Sequence, residues 1–207
     1  MASRAEEYTL SRHVSENHVP DLSMTEPYHP REDTFLTIDC VAKASHVQVA
    51  AEVGCGTGEV LKALAEKSDD IIGIDINPEA LKIAADSLTD LKPRLNLLNA
   101  SLLPLRPHSL DMVVANPPYL PDEPGLHDPA IYGGPRGVEL AEQIVEHSSK
   151  ALRKQGILVL TASSLSAVDD LLSKASLKGF KLLHKLVLKS FFETVFCFIF
   201  TLSDAQR

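Results

Sequence analysis

The sequence predicts a single α/β domain built on a doubly wound, seven-stranded, mostly parallel sheet that ends in an antiparallel hairpin. Three observations predict it. Short apolar runs alternate with amphipathic stretches of helical length. The runs are apolar throughout rather than at every second residue, as strands covered on both faces must be. The last two runs are joined only by KSFFE (189–193), too short for the crossover that parallel neighbours require.

Taken in order, residues 1–26 are polar and aperiodic and read as a mobile or loosely docked arm preceding a domain at 27–207. From Arg31, the apolar positions Phe35, Leu36, Ile38, Val41 and Ala42 fall near helical spacing and lead into the apolar run VQVAAEV (47–53). A helix is expected from Thr57 to Lys67, a strand at IIGIDI (71–76), a helix from Pro78 to Leu91 with proline in its first turn, and a strand at RLNLL (94–98). LDMVVA (110–115) reads as the fourth strand, Val138–Arg153 as a helix, GILVLTA (156–162) as the fifth strand and 166–178 as a further helix. The closing hairpin spans 180–188 and 194–201. Alternation along the last strand assigns Phe191, Phe192, Phe196, Phe198 and Phe200 to a half-buried core rather than to a docking surface.

Composition narrows the class. At 207 residues and 44% hydrophobic, the chain suffices for one sizeable core. No apolar run reaches the roughly 18 residues that span a bilayer, and the start MASRAEEYTL lacks a basic-then-apolar leader, so a soluble, cytoplasmic protein with no membrane partner is expected. Cys40, Cys55 and Cys197 form no CxxC pair and support neither a disulfide framework nor a metal site. A formal charge of −8 disfavours a phosphate backbone as partner.

Two segments carry chemistry. EVGCGTG (52–58) lies where the first strand turns into a helix, and glycines there let a ligand approach the backbone. The spacing of Gly54, Gly56 and Gly58 is G-x-G-x-G, short of the dinucleotide fingerprint, and no GK[ST] follows. A tight turn alone also uses glycine. Asp75 ends the second strand, where it would meet the two hydroxyls of an adenosine ribose. Glu52 adds a carboxylate suited to the cationic groups of S-adenosylmethionine.

The second segment is Asn116-Pro117-Pro118-Tyr119, at the same carboxyl edge of the sheet. Paired prolines make it stiff and remove two backbone donors, so it presents acceptors to an NH2 group. The Asn116 oxygen and the Pro117 carbonyl would hold the two hydrogens of a planar nitrogen while Tyr119 stacks on it. The bland reading is a rigid turn.

These stretches resemble the HemK/PrmC-like protein glutamine methyltransferases, in the short archaeal and eukaryotic branch, over residues 28–201. YHPREDTFL (28–36) resembles the branch's entry segment, EVGCGTG its cofactor loop, GIDIN (73–77) its acidic ribose site and NPPYLP (116–121) its catalytic motif. The resemblance implies a Rossmann-like class I methyltransferase fold and S-adenosylmethionine as cofactor. It implies cofactor contacts from Tyr28, Thr34 (methionine part), Glu52, Gly54, Gly56, Asp75 (ribose) and Asn116, which also binds the substrate amide. Ser101 stands where the branch often has an acid for the adenine amino group. The implied substrate is the Gly-Gly-Gln loop of a class I release factor. A small zinc-binding activator pairing with the edge strand at 94–100 is implied as well.

NPPY alone is shared with nucleic-acid adenine and guanine amino methyltransferases, which stand as the alternative. An inactive cofactor-binding scaffold is a third class, disfavoured by intact Glu52, Asp75 and Asn116. The glycines of YGGPRGVE (132–139) suggest that the stretch is flexible and that Pro121–Arg136 is a lid or substrate-contact loop. His29 and His127 read as solvated loop histidines and Cys55 as a packing residue.

Overall fold

The computed structural model describes residues 28–125 and 128–203. The expected arm at 1–26, and His127, lie outside the described residues. In chain order the elements are α1 (Glu32–Lys43), β1 (Val47–Val53), α2 (Glu59–Ala65), β2 (Ser68–Asp75), α3 (Pro78–Ser87) with a following 3-10 turn (Thr89–Leu91), β3 (Leu95–Asn99), β4 (Leu110–Ala115), α4 (Glu139–Ala151), β5 (Leu152–Ser163), α5 (Val168–Leu177), β6 (Phe180–Lys189) and β7 (Thr194–Leu202). The strands form one sheet in the order β3-β2-β1-β4-β5-β7-β6. The first five are parallel, and β7 runs antiparallel to both β5 and β6.

Each face of the sheet has its own core. On one, Leu36, Cys40 and Val41 of α1 join Leu61 and Leu64 of α2 and Ala84 of α3 over Ala50, Met112, Val114, Cys197 and Ile199. On the other, Ile144 and Val145 of α4 and Leu171 of α5 cover Ala51, Val113, Leu158, Phe198 and Phe200. Alternation along β7 therefore sends Val195, Cys197 and Ile199 to one core and Phe196, Phe198 and Phe200 to the other.

Boundaries moved where a local signal lost to pairing. β2 starts at Ser68, before its apolar run, because Ser68 and Asp70 pair with Val47 and Val49 while the Ser68 hydroxyl donates to the Leu64 carbonyl. α4 stops at Ala151, two residues earlier than the apolar pattern suggests, because Leu152 already pairs with Leu110; the register then shifts across the KQG turn, where Gln155 has φ +63°. α2 is shorter than expected because Gly58, at φ +94°, delays its start to Glu59.

What matters for the site is α1. It packs across β5, β6 and β7. The Thr37 hydroxyl lies 2.7 Å from that of Thr161 on β5 and donates to the Asp33 carbonyl at 2.9 Å. This tether holds the first turn of α1 over the carboxyl edge of the sheet.

Candidate active site

The chain reverses its direction of winding between β1 and β4, the position at which open α/β sheets bind ligands. Val53 pairs with Ala115, so the glycine turn and Asn116 leave the sheet side by side. In the turn, the N–H groups of Gly54 and Cys55 donate to the Ile74 carbonyl at 2.8 and 3.0 Å. Asp75 accepts from the Gly56 N–H at 2.8 Å and, through its other oxygen, from the Asn77 N–H at 2.8 Å. The two loops are thus locked together by one carboxylate, which keeps lone pairs for a further donor.

Two glycines of this turn face open space. A Cβ at Gly54 or Gly56 would meet no atom within 4 Å, and their φ values are +73° and +50°. Gly58 serves packing instead, since a Cβ there would come 2.7 Å from Leu88 Cδ1. Glu52, immediately below, is 2% exposed and its Oε2 has no hydrogen-bond partner. Burial first, and the charge of Asp75 second, raise its carboxyl well above the usual range. A buried acid without a partner calls for a cation. Ile76, 65% exposed beside Asp75, offers an apolar surface for a flat ring. Open space, an unpaired acid, an available carboxylate and an apolar ledge together fit an S-adenosylmethionine-shaped ligand.

The reacting edge centres on a residue that sequence reasoning passed over. Asp33, 6% exposed, accepts from Asn116 Nδ2 at 3.0 Å, the Thr34 N–H at 2.9 Å, the Tyr28 hydroxyl at 3.0 and 3.2 Å and the Tyr119 hydroxyl at 3.4 Å. Asn116 Oδ1 is buried and has no partner. Pro117 is buried beside it. Burial first, then the Asp33 carboxylate, raise the pKa of both tyrosines, so their hydroxyls act as neutral donors. Thr34 is buried and its hydroxyl accepts from the Arg31 N–H at 3.3 Å, closing the first turn of α1. Ser101 is exposed just beyond β3, near Asn99, whose amide donates to the Asp75 and Ile76 carbonyls at 3.0 Å each. His29 is exposed, and Cys55 is buried with its thiol pKa pushed up by burial, as a packing residue requires.

Two expectations need correction. The described part of the glycine segment is bonded down rather than free: the Leu120 N–H donates to the Ile131 carbonyl at 3.1 Å, the Gly133 N–H to the Leu120 carbonyl at 2.9 Å and the Asp122 N–H to the Gly134 carbonyl at 3.0 Å. A Cβ at Gly133 would lie 2.4 Å from the Pro118 carbonyl oxygen, and one at Gly137 would lie 2.4 Å from that of Tyr119. These glycines permit close packing on the NPPY backbone. Arg136 fastens the segment through ion pairs to Glu139, Glu142 and Asp170 at 2.9, 3.0 and 2.7 Å. Phe191 and Phe192 are not core either. They sit in the turn closed by the Ser190 N–H on the Glu193 carbonyl, at 98% and 80% exposure, whereas Phe198 and Phe200 are buried.

The methyltransferase domain family matches residues 50–125, from β1 through the NPPY loop. A Methanocaldococcus jannaschii protein, provisionally assigned as a protein N5-glutamine methyltransferase, is 30% identical over 75% of this chain and 82% of its own length. Methyltransferase HEMK2 of Homo sapiens is 31% identical over 78% of this chain and 83% of its own. The chain belongs to the HemK/PrmC-like protein N5-glutamine methyltransferases. Membership makes it an S-adenosylmethionine-dependent methyltransferase with the Rossmann-like fold of that family. Among solved structures, the E. cuniculi Mtq2–Trm112 complex, responsible for methylation of the eRF1 translation termination factor, contains a chain that superposes with a TM-score of 0.69 at 27% identity, over 86% of this chain and 98% of that one. Among the described residues of this family member, no helix is long and apolar enough to cross a membrane.

Proposed function

We propose that this methyltransferase modifies the side-chain nitrogen of the glutamine in the Gly-Gly-Gln loop of a class I release factor. The observation that carries the reading is the buried, unpartnered Asn116 Oδ1, an acceptor on a stiff loop that leaves the sheet beside the open glycine turn. The E. cuniculi relative's action on eRF1 and the M. jannaschii relative's glutamine assignment support the same substrate.

An amide nitrogen is a poor nucleophile because its lone pair is delocalised. Asn116 Oδ1 and the Pro117 carbonyl accept its two hydrogens, which rotates the pair out of conjugation and holds it in line, while Tyr119 packs on the amide plane. S-adenosylmethionine supplies an electrophilic methyl carbon on a sulfonium. Glu52 and Asp75 would hold the amino-acid and ribose ends of that ligand, and Tyr28, Thr34, Gly54, Gly56 and Ser101 would complete its pocket. No strong base is needed, because transfer would release the sulfur as a neutral thioether and leave the nitrogen as a cation with two hydrogens, acidic enough to lose one of them to water.

A small zinc-binding activator would add to β3, whose outer edge pairs with no other strand among the described residues and carries half-buried Leu95, Leu97 and Leu98. The assignment puts the protein in the cytoplasm, as one domain over residues 27–207. The charge of −8 works against nucleic acid as the acceptor.

The test is transfer of labelled methyl to a cognate release factor, with RNA and DNA in parallel and with and without the activator. Label on the protein supports the reading. Label on nucleic acid alone would transfer the same Asn116 chemistry to a base amino group and overturn the substrate.

A further inference from the structure

We infer that Asp33 is the positioning residue of this active site: it fixes the Asn116 amide with Nδ2 toward itself and Oδ1 toward the acceptor nitrogen. The inference rests on the role proposed above for Asn116 and concerns how that role is enforced.

An asparagine amide is nearly symmetric in shape, so a loop that merely holds Asn116 in place leaves two flip states. With Oδ1 left unpaired, the side chain can accept from a substrate NH2. With Nδ2 in its place, donor meets donor and the substrate is repelled. The choice is made from behind, 83 residues away in sequence, where the Asp33 carboxylate receives Nδ2 at 3.0 Å. Every other neighbour it bonds is also a donor: the Tyr28 and Tyr119 hydroxyls and the Thr34 N–H. A carboxylate ringed by donors accepts from each of them. The flipped amide would set Oδ1 against that carboxylate.

The same contact has an electronic consequence. A carboxylate bonded to the N–H side of an amide pushes density toward its oxygen, so Oδ1 becomes a stronger acceptor as positive charge develops on the attacking nitrogen. Asp33 acts through Asn116, whose Nδ2 it holds. Its backbone is held by Thr37, whose hydroxyl donates to the Asp33 carbonyl at 2.9 Å and lies 2.7 Å from that of Thr161, which makes the hub a fixed element rather than a mobile acid.

The experiment uses the full chain and three variants: Asp33→Asn, Asn116→Asp, and the two combined. Three quantities are read: cofactor affinity by calorimetry, kcat for transfer to the release factor, and the nitrogen-15 side-chain amide signal of Asn116. Loss of a charge-assisted bond predicts a kcat about 10–100-fold lower in Asp33→Asn, with cofactor affinity changed far less. Asn116→Asp sets two carboxylates face to face and loses more. The double variant restores one donor facing one carboxylate, now reversed, and should regain at least about tenfold over Asn116→Asp. A merely structural role gives no such recovery. The Asn116 amide signal should move in Asp33→Asn.

Multiplying losses in the double variant, a kcat loss in Asp33→Asn that only follows lost cofactor affinity, or an unmoved amide signal would each overturn the inference. If the wild-type enzyme labels no release factor, the proposed substrate falls, while the amide signal, which needs no substrate, still decides the role of Asp33.

Discussion

Gly137→Ala isolates the claim that the glycine segment exists to seat the catalytic loop. Gly137 has φ +71°, and a Cβ there would lie 2.4 Å from the Tyr119 carbonyl oxygen, 2.9 Å from Pro121 N and 2.9 Å from Ser166 Cβ. Gly179, at the end of α5, has φ +88° but its Cβ would find its nearest neighbour at 3.6 Å, an ordinary contact. Both substitutions to alanine incur the left-handed backbone cost of about 1–2 kcal/mol, a Tm loss of roughly 2–8 °C in a chain of this size. Only Gly137→Ala adds a backbone clash, and relief requires the NPPY segment to move by several tenths of an ångström or more. Misplacement near 1 Å costs on the order of 100-fold in rate. Thermal scans, cofactor calorimetry and kcat should therefore show two destabilised proteins that both bind cofactor, of which only Gly137→Ala has lost catalysis. A Gly137→Ala enzyme with the kcat of Gly179→Ala would refute the reasoning.

Other consequences follow from the same contacts. Glu52 has a folded-state pKa raised by burial above the ordinary 4.5, so the folded protein holds the extra proton and stability falls as pH rises from that value. Glu52→Gln should flatten this slope in thermal scans between pH 5 and pH 8, while calorimetry shows cofactor affinity falling about 10–100-fold from loss of a charge-assisted contact. Asn116→Ala removes an acceptor needed as charge develops, and should lower kcat by about 100–1000-fold with a smaller change in cofactor affinity. Addition of the zinc-binding activator should slow hydrogen exchange at the outer-edge amides of Leu95–Asn99, and exchange there unchanged by the activator would remove β3 as its docking strand.

Most of the scaffold was readable because its signals are local. VQVAAEV, LDMVVA and TVFCFIF are apolar in runs that only buried strands need, and Pro78 marks a helix start that the structure confirms, capped by Asn77, whose side chain accepts from the Glu79 N–H at 2.9 Å. Asp33 was hidden for the opposite reason. An acidic residue in the first turn of a helix has a sufficient local explanation in the helix dipole, and nothing nearby in sequence announces that Asn116 lies 3.0 Å away. The glycines at 133 and 137 were misread because flexibility is the local property of glycine, whereas the carbonyls that exclude a Cβ come from Pro118 and Tyr119. Phe191 and Phe192 were carried into the core by extending a strand's alternation through a turn. Ser68 and Leu152 changed element because sheet pairing, a long-range effect, overrode weak local preference.

The most direct test of the central claim is peptide mapping by mass spectrometry of a class I release factor after incubation with the enzyme, its activator and S-adenosylmethionine. The account predicts one added methyl on the side-chain nitrogen of the Gly-Gly-Gln glutamine, absent from reactions with Asn116→Ala enzyme or with a Gln→Ala release factor. Methylation at any other residue, or on that glutamine at an undiminished rate with Asn116→Ala enzyme, would contradict it.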